Sequence, residues 1–313
     1  MRLEQFPSPG AAWLRATMLV CLLTLTACVG ISGRELGLLG STLSPNKVDF
    51  VELNAYAGRA KAAYAGEAAI RSRYPATVRV SAPGKTDAQY FLEQDDRAKV
   101  QYIAIRGTAN RKNLLEDVEM RIREDLSLAI PVHIGFDATA RVLYADMKPY
   151  LKKNYTTYIT GHSLGGAIAA LLAIHMTDDG YKVDKVVTFG QPKFTTARGV
   201  EKLGFLTLVR VVDENDIIPM LPPTTIVNRL YGIYEHAGPE IILLEGPRYV
   251  YLPKHDADRL SVGELGRSLD FADLKDHHID NYLRRLSDKI AGAVEVTYNE
   301  RERYVAKKEI AGN

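Results

Sequence analysis

The sequence predicts an α/β architecture, a mostly parallel sheet with helices on both faces, and three observations carry that prediction. Segments with strand composition alternate with segments of helical period along the chain. One strand segment, residues 155–160, breaks through Gly161-His162-Ser163-Leu164-Gly165 directly into an apolar helix. Another, residues 206–212, runs into the acidic turn Asp213-Glu214-Asn215-Asp216, as expected where functional groups gather at the carboxyl ends of parallel strands.

Taken in order, Val48 to Arg73 has helical period through Phe50, Leu53, Tyr56, Ala57, Ala60 and Tyr64. It stops at Tyr74-Pro75, because the residue before a proline is pushed out of the helical region. Val78–Val80 and Gln89–Leu92 are short strands; Lys99–Ile105 is a better one that ends at Arg106-Gly107-Thr108. Phe136 to Lys152 reads as an amphipathic helix (Ala138, Val142, Leu143, Met147, Leu151) feeding the strand before Gly161. Lys185–Gly190 is a buried strand followed by Gln191-Pro192. Ile241–Leu244 and Tyr249–Leu252, on either side of Glu245-Gly246-Pro247, form a late hairpin. The tail after Tyr282 is strongly charged and is expected to end in a solvated helix.

The chain has 313 residues, 46% hydrophobic and 25% charged, which is ordinary globular composition and allows one large or two small domains. Its formal net charge of +2, with both signs mixed along the sequence, gives no electrostatic footprint for nucleic acid. Arg2 and Arg15 precede the apolar run Met18–Ala27, which is too short to span a bilayer and reads as an export signal. Leu25-Thr26-Ala27-Cys28 resembles a bacterial lipobox, so that Cys28 becomes the lipidated first residue of the mature chain and a membrane is reached through that anchor. Val29 in the next position then favours the outer membrane. The two cysteines, Cys21 and Cys28, are used up in this way, which excludes a Cys nucleophile, a Cys-based metal site and a disulfide. The expected organisation is a signal peptide over 1–27, a tether over 28–48, a folded domain over 49–285 and a charged tail over 286–313.

Gly-x-Ser-x-Gly between a strand and a helix reads as a nucleophile elbow. The turn is so sharp that Cβ atoms on either side of the serine would collide, and the glycines let Ser163 Oγ stand at its tip. A serine hydroxyl needs a base to take its proton and a carboxylate to orient that base. Asp213, Glu214 and Asp216 compete for the acid, and His277 and His278 follow all of them in the chain. His162 points away from Ser163 Oγ and reads as packing. The N–H of Leu164 opens a helix, where free amides favour developing negative charge. Arg106 is expected to pair with a carboxylate or backbone carbonyls.

These residues also resemble a family, the class 3 (fungal-type) lipases of the α/β-hydrolase superfamily. The likeness lies in Ile105-Arg106-Gly107-Thr108, Val132-His133-Ile134-Gly135-Phe136, Thr160–Ala167, Asn215–Pro219 with Leu221-Pro222-Pro223, and Asp276-His277 with Asn281-Tyr282, from about residue 50 to 285. It implies an α/β-hydrolase fold with Ser163 as nucleophile, Asp216 as acid, His277 as base, and Thr108 and Leu164 as oxyanion donors. It implies a carboxylic-ester hydrolase acting on a lipid ester, acylglycerols first, with no metal and no cofactor. Phospholipase A1, lysophospholipase or short-chain esterase activity is the alternative, as is a non-catalytic envelope lipoprotein on a hydrolase scaffold. With the lipobox, the expected location is the bacterial cell envelope. The sequence departs from the family where a lid would lie: Ala109–Asp117 offers only Leu114 and Leu115 as an apolar face, and the one tryptophan is Trp13. The disulfides of secreted fungal members are absent as well.

Overall fold

The computed structural model describes residues 48–107, 122–125, 129–222, 234–254, 257 and 275–304. The leader with Cys28, the oxyanion candidate Thr108 and the lid region 109–117 lie outside the described residues.

The chain opens with helices α1 (Phe50–Ala62) and α2 (Glu67–Arg73), then strands β1 (Thr77–Ser81), β2 (Tyr90–Asp95) and β3 (Val100–Ile105). After β4 (Ile122–Asp125) and β5 (Ile130–His133) come α3 (Ile134–Met147), β6 (Thr156–His162), α4 (Leu164–Asp178) and β7 (Lys182–Phe189). β8 (Thr195–Thr196), α5 (Ala197–Lys202), β9 (Leu208–Asp213), β10 (Tyr234–Glu235), β11 (Glu240–Leu243) and β12 (Arg248–Leu252) follow, then α6 (Ile279–Ile290), β13 (Val294–Glu295) and a 3-10 helix over Tyr298–Tyr304. Among the described residues the main sheet has nine strands in the order β1-β2-β3-β6-β7-β9-β11-β12-β13. Its centre, β3 through β11, is parallel, while β1 and β2 are antiparallel additions and β11–β12 is the expected hairpin.

Successive residues of β7 show how the sheet sorts its two faces. Val186 joins the core under α3 and α4, and Val187 joins the core under α1 and α6, as the two-residue period of a strand requires. α4 is buried from Leu164 to Met176 without an exposed stripe. It lies against β6 and β7 on one side and α3 on the other, so apolar residues all round are what it needs. The parallel register sets the carboxyl ends of β3, β6, β7 and β9 side by side, with Ile105 opposite Gly161 and His162 opposite Phe189.

Four features differ from the expectations. The helix expected over 48–73 is two helices, broken at Gly66, which takes an extended conformation as the N-cap of α2. Helix α3 begins at Ile134, where His133 caps it through Nδ1, and ends at Met147 ahead of Pro149. Its buried stripe is Phe136, Ala140, Leu143 and Met147, leaving Ala138 and Val142 exposed. A second, four-stranded antiparallel sheet, β10-β8-β5-β4, is built from strands too short for a two-residue pattern to reveal. Finally, α6 runs through the boundary expected at residue 285, while the end of the tail, where a solvated helix is expected, lies outside the described residues. Arg285, Leu286 and Lys289 are buried, as are Tyr298 and Arg301 beyond it. Each of the four cationic or phenolic groups among these has partners that let it leave water.

Candidate active site

Ser163 stands between β6 and α4 with φ 59° and ψ −134°, a strained conformation for a residue with a side chain. The strand pairing holds it there, since its N–H donates to Phe189 O at 2.9 Å and its carbonyl accepts from Gly166 N at 2.9 Å. The glycines are sterically required. A Cβ on Gly161 would overlap the Gly165 carbonyl, and one on Gly165 would overlap Ile105 O and Gly107 N. Gly107 in turn passes the elbow so closely that a Cβ there would meet Leu164 N at 3.1 Å.

The acid turn follows β9. Asp216 N donates to Asp213 O at 3.0 Å, and Asp216 Oδ1 accepts from Ile218 N at 2.9 Å, which fixes one carboxylate oxygen and aims the other. Oδ2 lies 2.7 Å from His277 Nδ1, and His277 Nε2 lies 2.8 Å from Ser163 Oγ. An ionised carboxylate only accepts, so Nδ1 carries the proton and Nε2 is left to accept the serine hydroxyl. Ser163, Asp216 and His277 are 4%, 4% and 7% exposed, so the chain of hydrogen bonds is sheltered from bulk water. Gly190 makes room for it with φ +57°, where a Cβ would meet Asp216 Oδ2 at 2.8 Å and His277 Cε1 at 3.0 Å. The N–H of Leu164 is the first of α4 and, like the other N–H groups of a first turn, has no acceptor within the helix.

The competing candidates do other work. Asp213 pairs with Arg285 Nε at 2.5 Å and accepts from Asn215 N at 3.2 Å, so it braces the turn. Burial raises its carboxyl to about 7 against the opposing pull of Arg285. His278 is the N-cap of α6, and its N–H donates to Lys275 O at 3.3 Å. Arg106 donates to Asp87 O at 2.7 Å, as expected of a structural arginine. His162 faces His277 rather than the serine hydroxyl, with ring centroids 4.7 Å apart. Tyr282 went unremarked as a partner in the sequence, yet its hydroxyl donates to Asp216 Oδ2 at 2.5 Å. Burial, with Asp216 beside it, pushes that phenol well above its ordinary range. His236 donates through Nε2 to Pro219 O at 2.7 Å, and burial holds it neutral by pushing it well below the usual histidine range.

Residues 102–226 match the family model of the lipases of class 3. Relatives of this lipase-like region include the secreted mono- and diacylglycerol lipase 1 of Fusarium solani, 28% identical over 179 residues, covering 52% of this chain and 50% of the relative. The lipase of Rhizomucor miehei is 30% identical over 168 residues, covering 49% and 44%. The chain thus spans about half the length of these curated relatives. The crystal structure of the lipase from Rhizopus microsporus var. chinensis superposes with a TM-score of 0.60 at 22% identity, over 75% of this chain and 88% of that one. The fold is the α/β-hydrolase fold. The expectation of a lipid-anchored protein of the bacterial envelope is overturned, because the similar proteins named above are fungal lipases, one of them named as secreted, and point to extracellular secretion. The basic and apolar leader that suggested an anchor is equally what plain secretion requires.

Proposed function

We propose that the chain is an extracellular carboxylic-ester hydrolase acting on acylglycerols, with Ser163 as nucleophile, His277 as general base and Asp216 as its orienting acid. The observation that supports this best is the continuous pair of hydrogen bonds, 2.8 Å from Ser163 Oγ to His277 Nε2 and 2.7 Å from His277 Nδ1 to Asp216 Oδ2, mounted on a strained elbow. Ser163 Oγ attacks the ester carbonyl while its proton passes to His277 Nε2, and Asp216 stabilises the imidazolium. The tetrahedral oxyanion is held by the N–H of Leu164 and by Thr108, which follows Gly107 where the chain passes the Leu164 amide. Collapse expels the alcohol, which takes the proton from His277, and leaves an acyl-serine. Water, deprotonated by His277, then adds to the acyl carbonyl, and collapse releases the fatty acid as His277 returns the proton to Ser163 Oγ.

The test is hydrolysis of diacylglycerol, triacylglycerol, phosphatidylcholine and a short-to-long series of p-nitrophenyl esters, with Ser163→Ala beside the wild type. Loss of at least about 10⁴-fold in kcat is expected in the mutant. Asp216→Asn is expected to lose about 10⁴-fold with the site geometry intact, because the imidazole then takes the wrong tautomer. Equal rates in wild type and Ser163→Ala overturn the serine mechanism. Phosphatidylcholine cleaved in preference to diacylglycerol overturns the substrate class and leaves the mechanism standing.

A further inference from the structure

We infer that His162, the residue before the nucleophile, is a positioning residue that fastens the base to the elbow, with Tyr64 setting its tautomer; the inference rests on the triad reading above. His162 ends β6 and is 5% exposed. Its ring lies 4.7 Å from that of His277 at 31°, and edge-on to Tyr64 and Tyr282, each 5.9 Å away between centroids. His162 Nε2 is 2.8 Å from the backbone carbonyl oxygen of His277. A carbonyl has no proton to give, so Nε2 is the donor. The neutral ring then has a lone pair at Nδ1, and the Tyr64 hydroxyl 2.9 Å away donates to it.

Tyr64 is itself placed. It stands in the turn between α1 and α2, where Gln89 Nε2 donates to Ala63 O at 2.8 Å and to Ala65 O at 2.9 Å. The carbonyl of Gln89 accepts from Arg106 N at 2.8 Å, beside Gly107 and the Leu164 amide. Gln89 thus ties the turn that carries Tyr64 to the end of β3, and from Tyr64 two hydrogen bonds lead through His162 to the backbone of the base. Both ring nitrogens of His277 are engaged by Asp216 and Ser163, so its carbonyl is the point at which the elbow can hold it without competing with the chemistry. The same strand end that positions Ser163 Oγ thus positions the atom that must receive its proton.

Misplacing a reacting group by about 1 Å can cost about 10²-fold. His162→Leu is accordingly expected to lower kcat by about 10- to 100-fold while KM changes by less than about threefold. His162→Gln, whose amide can still donate to the His277 carbonyl, is expected to restore kcat to within about threefold of wild type. Tyr64→Phe leaves the Nε2 bond in place and is expected to fall between them. The rate at which a fluorophosphonate labels Ser163 should follow the same order, since it reads nucleophile and base without lipid binding. In ¹⁵N-labelled wild-type protein, NMR should find the His162 proton on Nε2 and none on Nδ1, a readout that survives if His162→Leu fails to fold. Wild-type kcat in folded His162→Leu, equal damage in the Gln and Leu variants, or a protonated Nδ1 at neutral pH would each overturn the assignment. Ester hydrolysis that persists in Ser163→Ala would instead overturn the triad beneath it.

Discussion

Asp216 Oδ2 receives two hydrogen bonds, one from His277 and one from the Tyr282 hydroxyl, so the tyrosine draws off part of the charge that would otherwise act on the base. In Tyr282→Phe the carboxylate keeps its bond to His277 but loses the second donor that orients it. The variant's kcat should fall about tenfold, a loss in keeping with the roughly 1.5–3 kcal/mol of a hydrogen bond to a charged group. Steady-state kinetics of the two proteins measure the loss. Serine, acid and histidine were legible in the sequence because their chemistry and chain order restrict the choices. From the residues alone the acid was one of three, and the resemblance pointed to Asp216; in the structure Asp213 meets Arg285 and Asp216 meets His277. Tyr64 and Tyr282 were illegible as site residues, since a tyrosine at helical spacing looks like core until the partner of its hydroxyl is known.

At the scale of the element, α6 determines how firmly the acid turn is held. Arg285 forms ion pairs with Asp213 and with Glu245, the latter at 2.9 Å, while Lys289 donates to the carbonyls of Leu244, Gly246 and Arg285 and burial lowers it to about 8. Arg285→Leu strands a buried carboxylate and is expected to lower stability by about 3–5 kcal/mol, read from urea unfolding. Because the folded Asp213 carboxyl titrates at about 7, above an ordinary carboxylic acid, its contribution is greatest below about pH 4 and is lost as the pH rises towards 7. Wild type should therefore lose stability relative to Asp213→Asn across that window, and urea midpoints at pH 4.5 and 7.5 test the sign. In α4, Leu172→Ala removes a side chain with no exposed surface and should cost about 2–5 kcal/mol. The central strands and α4 were legible because long apolar segments have only one place to go. The burial of Arg285 and Lys289 in α6 was not legible, because Arg and Lys look solvated in a sequence and only their tertiary partners bring them inside.

For the domain as a whole, the absence of cysteine from residue 29 onward means that stability comes from the cores on the two faces of the sheet. The thermal midpoint of the protein should accordingly change by less than about 1 °C in the presence of a thiol reductant. The α/β plan was readable from the alternation of strand and helix patterns. The small second sheet was not, because its two-residue strands exist only through their neighbours. The arrangement of α6 also bears on the order in which the protein comes into being. A nascent chain emerges with the elbow and the acid first, and His277, Tyr282 and Arg285 only after both. Until that later segment has been made and α6 has docked, the Ser163 hydroxyl has no histidine beside it.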